Sequence, residues 1–222
     1  RWVTAWGTSQ QSLGSTTITN ATVRMIARVT AGGGSVRVRL DNTFGETPLV
    51  IGEAYIGPVM RRAALTPGSN NQVRFDSSGT VTIPAGGTVE SDPIEMDVMA
   101  RQDLAVSLYI PEANVQPSQH GQAYVTSYLS DNGSGNVAST ESAEPFTGTT
   151  TSTFWLKAID VLSESATGSI VGFGDSITDG SCSTLDAHDR WQDWVAARLY
   201  LASPDAHPAM VNEGIGGNTV TS

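Results

Sequence analysis

Two stretches near the start alternate apolar and polar residues one by one, and no segment before residue 163 carries a long 3.6-residue period. They are Thr22-Val23-Arg24-Met25-Ile26-Ala27-Arg28-Val29 and Ser35-Val36-Arg37-Val38-Arg39-Leu40. A period of two puts successive side chains on opposite faces of a strand. Ala31-Gly32-Gly33-Gly34 between them reads as a hairpin connection. Further strands are predicted at 49–56, 73–75, Val81–Ile83, Ile94–Val98, 104–110, 123–129 and 154–161. Turn clusters such as Thr66-Pro67-Gly68-Ser69-Asn70-Asn71 and Pro84-Ala85-Gly86-Gly87 separate them. Short strands at this spacing predict a β-sandwich or jelly roll over residues 1–163. Arg24, Arg28, Arg37 and Arg39 read as the solvent face of two paired strands. Residues 131–152 are poor in apolar groups and read as a long exposed loop.

The pattern changes near residue 168. Ile170-Val171-Gly172-Phe173 is an apolar run without alternation, as expected of a strand buried on both faces of a parallel sheet. A loop follows, then a helix over 190–201. Trp191, Trp194, Val195 and Leu199 share one of its faces, and Asp189 stands at the N-cap position. Ala209-Met210-Val211-Asn212 reads as a second strand, ending in Glu213-Gly214-Ile215-Gly216-Gly217-Asn218. Strand, loop, helix, strand and glycine-rich turn make one βαβ unit. The expected class is thus α+β with two domains: the sandwich over 1–163, then an α/β unit over 168–222.

Chemistry in open α/β sheets gathers at the carboxyl ends of the strands. Ser176 follows the first strand and the glycine turn follows the second. A serine nucleophile needs an exposed hydroxyl, a base and N–H donors for the oxyanion. Gly216 and Gly217 can present bare backbone N–H groups there.

The 222 residues suffice for one large domain or two ordinary ones. A formal net charge of −10 argues against nucleic acid and anionic membranes as partners. No apolar run is long enough to span a bilayer. The single cysteine, Cys182, excludes an internal disulfide framework and reads as a free loop or buried thiol. The chain starts at Arg1, and a removed leader with an extracellular destination is expected. Asn20-Ala21-Thr22 and Asn132-Gly133-Ser134 are potential glycosylation sequons of little weight.

Gly174-Asp175-Ser176-Ile177-Thr178-Asp179-Gly180 resembles the first block of the SGNH/GDSL hydrolases. Asn212-Glu213-Gly214-Ile215-Gly216-Gly217-Asn218, with Gly217 lying 41 residues after Ser176, is similar to the second. Arg190-Trp191-Gln192-Asp193-Trp194 resembles the helix that often follows the serine loop. The β-rich region resembles the jelly-roll-like domain found ahead of the catalytic domain in an extracellular branch. The resemblance implies the first βαβ unit of an α/β/α three-layer domain. It further implies Ser176 as nucleophile, its N–H and that of Gly217 as oxyanion donors, and hydrolysis through an acyl-enzyme without cofactor. The family's oxyanion asparagine and its Asp-x-x-His would lie beyond Ser222. The chain is therefore expected to be a fragment, its missing half supplied as a companion chain. One helix on two strands would leave Trp191 and Trp194 uncovered.

Other residues stay open. Asp175 and Asn218 are candidate substrate contacts, or caps of local N–H groups. Asp179 reads as a loop or helix cap. His188 and His207 read as loop residues, and His120 as either a loop residue or part of a domain interface or substrate rim. Asp175, Asp179, Asp186, His188 and Asp189 show no metal-ligand spacing, so no metal site is expected. Trp2 and Trp6 read as core, with a sugar platform as the alternative. The function expected is a secreted serine carboxylic ester hydrolase acting on short O-acyl or acetyl carbohydrate esters. A lipase or lysophospholipase-type esterase is the alternative, and a glycan-binding β module with a relic hydrolase segment is the rival of another class.

Overall fold

A computed structural model describes residues 1–220. The chain opens with β1 (Trp2–Gly7), β2 (Ser12–Leu13), β3 (Ala21–Arg28), β4 (Gly33–Asp41), β5 (Leu49–Ile51) and β6 (Glu53–Arg61). It continues through β7 (Ala64–Leu65), β8 (Asn71–Val73), β9 (Val81–Ile83), β10 (Thr88–Glu90), β11 (Ile94–Val98) and β12 (Asp103–Ile110). Then come β13 (Ser118–His120), β14 (Ser127–Leu129), β15 (Gly148–Thr150), β16 (Thr153–Phe154) and β17 (Leu156–Leu162). The last part holds β18 (Ala166–Gly174), α1 (Ser176–Asp179), α2 (Trp191–Ala202) and β19 (His207–Gly214).

One sheet runs β1-β17-β4-β10, with β11 also on β4. The other runs β15-β14-β3-β12-β6-β7, with β8 also on β6. Small sheets, β16-β13-β2 and β5-β9, complete the β region. Val36, Val38 and Leu40 of β4 share one core with Val23 and Met25 of β3 and Leu104, Val106 and Leu108 of β12. Each such side chain removed from water stabilises the fold by about 1.5–3 kcal/mol before the entropy of ordering is counted.

β3 and β4 are not a hairpin. β3 pairs with β12 from Ala21↔Ile110 to Arg28↔Asp103, whereas β4 pairs with β17, β10 and β11. The glycine-rich connection therefore passes from one sheet to the other. Alternation decides which face a side chain takes, not which strand lies alongside.

The arginines also divide. Arg37 and Arg39 lie on the outer face of their sheet and share Asp160, at 3.2 and 2.7 Å. Arg24 instead is fully buried. Its Nε donates to Ser107 Oγ at 2.8 Å, and its other nitrogens donate to the carbonyl oxygens of Ala63 and Thr140, each at 2.5 Å. The Phe146 ring lies 4.1 Å from the guanidinium. Burial lowers the Arg24 pKa to about 10.

The cover over Arg24 is the stretch expected to be an exposed loop. Ala138 and Phe146 are buried, and the Glu141 carboxylate accepts N–H bonds from Gly68, Ser69 and Asn70. Those bonds hold the Glu141 carboxyl below its ordinary range. Low apolar content did not signal this cover, because backbone carbonyls and one carboxylate do much of the fastening. The expected strand over 154–161 is broken as well: fully buried Trp155, at φ 56°, separates β16 from β17.

The expected α+β class, with an α/β/α three-layer domain, is corrected. The protein is β-rich, with 45 % strand, 7 % helix and two helices among the described residues. β18 and β19 form a two-stranded parallel sheet, and α1 is a single turn. The apolar run, the helix and the glycine turn were read as the start of a larger layered unit, but local patterns carry no information on how many strands a sheet will have.

Arg24→Met keeps the packing volume and removes all three donor contacts. It is expected to destabilise the fold by about 2–4 kcal/mol, because buried acceptors lose their partner. Urea unfolding of both proteins measures this.

Candidate active site

The parallel pair is seated against the β region through β1. Thr30 Oγ1 donates to the Met210 carbonyl and accepts from the Met210 N–H, both at 2.9 Å. Ser169 Oγ donates to the Thr4 carbonyl at 2.8 Å. A Cβ at Gly7 would meet the Val211 side chain at 2.9 Å, so β19 lies close over β1.

β18 and β19 end level with each other, Gly174 opposite Gly214. Asp175 caps the turn that follows, its Oδ1 accepting the Ile177 N–H at 2.9 Å. The turn closes on Gly180 in the left-handed region, with the Gly180 N–H donating to the Ser176 carbonyl at 3.0 Å. Ser176 is therefore the first residue of α1 and is half-exposed. Among the described residues, its hydroxyl has no hydrogen-bond partner.

The glycine turn after β19 comes alongside. A Cβ at Gly214 would collide with the Asp179 amide, so the strand end and the turn meet backbone to backbone. A Cβ at Gly216 would stand 3.9 Å from Ser176 Cβ. Gly216 is thus brought next to the serine. Gly217 has φ 86° and open space around its Cβ position, and Asn218 is exposed, its N–H donating to the Ile215 carbonyl at 3.2 Å. The N–H groups of Ser176, Gly216 and Gly217 take no hydrogen bond among the described residues. Unengaged N–H groups near a free hydroxyl are one thing an oxyanion site requires.

No histidine reaches that hydroxyl among the described residues. His188, at φ 50°, is largely buried with Nε2 3.7 Å from Asp103 Oδ1, and burial lowers its pKa. His207 is buried edge-on against Tyr200 at 5.3 Å. His120 is buried and contacts Asp179, three residues beyond Ser176. Among the described residues no group of three or more His, Cys, Asp or Glu is arranged to hold a metal ion.

The chain matches no family model. No curated protein matches it either.

Three supports of the serine turn had no local signal in the sequence. Asn212 Nδ2 donates to the Asp179 carbonyl at 3.2 Å, Gln192 Nε2 to the Thr178 carbonyl at 2.5 Å, and His120 comes from the β region. Asp189 does not cap α2; Arg190 occupies that position, and Asp189 accepts the Thr184 N–H at 3.0 Å. On α2 the buried residues are Gln192, Ala196 and Ala197, while Trp194 is 60 % exposed.

Glu213 lies beside the turn. Its Oε2 accepts the Ser9 hydroxyl at 2.5 Å, and burial raises its carboxyl above the usual 4.5. An acid whose pKa is raised on folding is harder to ionise in the folded state than in the unfolded chain. Its contribution therefore falls as pH rises from 4.5 through the folded value. Glu213→Gln removes that term. Thermal melts across the acid-to-neutral range are expected to show the wild type losing stability relative to Glu213→Gln as pH rises.

Proposed function

We propose that this chain carries the nucleophile of a secreted serine ester hydrolase that removes short O-acyl groups from carbohydrate or related esters. The observation that supports this best is the meeting of Ser176 and Gly216 at the ends of two parallel strands, with three backbone N–H groups left unengaged around them. In this reading Ser176 Oγ adds to the ester carbonyl as its proton passes to a base. The carbonyl oxygen gains the charge and is held by the N–H of Ser176 and by those of Gly216 or Gly217. Collapse expels the alcohol and leaves an acyl-serine, which water then hydrolyses.

The three histidines are engaged elsewhere, so the base in this reading comes from polypeptide outside the described residues. A place for it exists. Among the described residues β18 pairs only with β19, and Phe173 on β18 is 80 % exposed, as Trp194 on α2 is 60 % exposed. A companion segment of the same protein seated on that open edge would cover both and bring a base toward Ser176. The helices of the described residues are too short and polar to cross a membrane.

The glycan-module reading has less support. The Trp2 ring is covered by the Arg37 guanidinium at 4.2 Å, and Trp6 packs against the sandwich core. Both rings are thus partly taken up by contacts within the protein.

A native preparation of the protein is expected to hydrolyse an aryl acetate faster than a long-chain aryl ester. A fluorophosphonate is expected to abolish this turnover while forming one adduct, at Ser176. Ser176→Ala should remove the adduct and lower turnover by about a thousandfold or more. Turnover that survives phosphonylation, or an adduct on another residue, sinks the assignment.

A further inference from the structure

His120 ties the β region to the turn that bears Ser176. It stands on β13 and is 1 % exposed. Its Nδ1 lies 2.8 Å from the Ser9 carbonyl oxygen, and its Nε2 lies 3.0 Å from Asp179 Oδ1. Asp179 is the last residue of α1 and is itself buried. A carbonyl oxygen only accepts, so Nδ1 donates to Ser9. The Nε2 end shares a proton with Asp179 Oδ1 across the 3.0 Å contact. The imidazole is thus a two-ended link between the strand-to-strand passage at Ser9 and the end of the nucleophile's turn.

Neighbouring charges do not replace this link. Arg190 Nη2 is 3.9 Å from Asp179 Oδ1 and is committed to the Ala123 carbonyl at 2.6 Å. Glu213, which also faces His120 from β19, is bonded to Ser9. A buried polar pair adds little net stability over an apolar pair of the same volume, so packing alone gives no reason for one here. What the pair does supply is direction, because each of its hydrogen bonds has a fixed geometry.

We propose that His120 is a positioning residue for Ser176: acting through Asp179, it sets where the turn stands against Gly216, and the β region is thereby a working part of the site. The proposal rests on the serine-hydrolase reading above. Without His120, the Asp179 carboxylate is left buried without a close donor, and α1 loses its only histidine contact with the β region among the described residues. Asp179→Asn behaves differently. Its amide donates to Nε2 of the neutral Nδ1–H imidazole, so both ends of the link survive without charge.

The test uses the native preparation, any companion polypeptide retained, with His120→Ala, Asp179→Ala and Asp179→Asn, and two readouts. The first is hydrogen exchange at the amides of Asp179, Gly180 and Ser181, which donate to the carbonyls of Asp175 and Ser176. The second is the rate at which a fluorophosphonate modifies Ser176. His120→Ala and Asp179→Ala should speed exchange at these three amides about tenfold to a hundredfold, as expected for the loss of one buried hydrogen bond to a charged group. Phosphonylation should slow in step, while exchange in the β12 core stays as in wild type. Asp179→Asn should keep wild-type exchange and wild-type labelling. Unchanged exchange in His120→Ala, or equal loss in Asp179→Asn and Asp179→Ala, overturns the proposal. Should His120→Ala also loosen the β12 core, the contrast between the two Asp179 variants decides. A wild type that resists the fluorophosphonate would count against the hydrolase reading, and exchange would still report whether His120 holds the turn.

Discussion

The turn that bears Ser176 rests on Gly214, and that contact has no room for a side chain. A Cβ there would strike the Asp179 amide. The strand end and the turn therefore meet through their backbones, and the next glycine, Gly216, comes alongside the serine. The seat holds because β19 is itself held. Thr30 grips both the backbone N–H and the carbonyl of Met210, and Val211 fits over Gly7. Hydrogen bonds and close packing between the β region and the parallel pair thus carry the geometry on which any chemistry at Ser176 depends.

Around that seat the β region acts as a mould for the loop between α1 and α2. Arg190 donates to the Ala123 carbonyl, and Asp186 accepts from the N–H and hydroxyl of Thr126 at 2.6 and 2.7 Å. The Asp186 N–H in turn donates to the Tyr124 carbonyl at 3.0 Å. Desolvation dominates along this seam: it raises the carboxyls of Asp193 and Glu213 and lowers His188 and Arg190. None of these groups hydrogen-bonds to Ser176, so their shifts report how closely the two parts fit rather than acid–base chemistry at the serine.

Much of the local structure was legible. The alternating run at 22–29 lies largely on β3, and Gly174-Asp175-Ser176 does end a parallel strand. What covers each face was not. The apolar run in β18 read as a strand buried on both sides, yet Phe173 is exposed and only Gly172 and Ala166 of that strand are buried. On α2 the tryptophans marked an apolar face, but Ala196, Ala197 and Gln192 are the residues turned inward. Arg24 read as a solvent-facing residue and is fully buried, because a loop poor in apolar groups lies over it. In each case the pattern named a chemical preference, and the neighbour that satisfied it or left it unmet came from elsewhere in the chain.

The sequence alone determined the positions of the longer strands, which serine follows a parallel strand, and that bare glycine amides follow the next. Those features come from backbone sterics and side-chain alternation, which act over a few residues. Tertiary structure alone decided that β3 and β4 belong to different sheets, that Gly216 is set beside Ser176, and that His120 reaches Asp179 across 59 positions of chain. Such pairings are chosen by the summed contacts of distant segments competing for the same faces. No short-range signal encodes that competition.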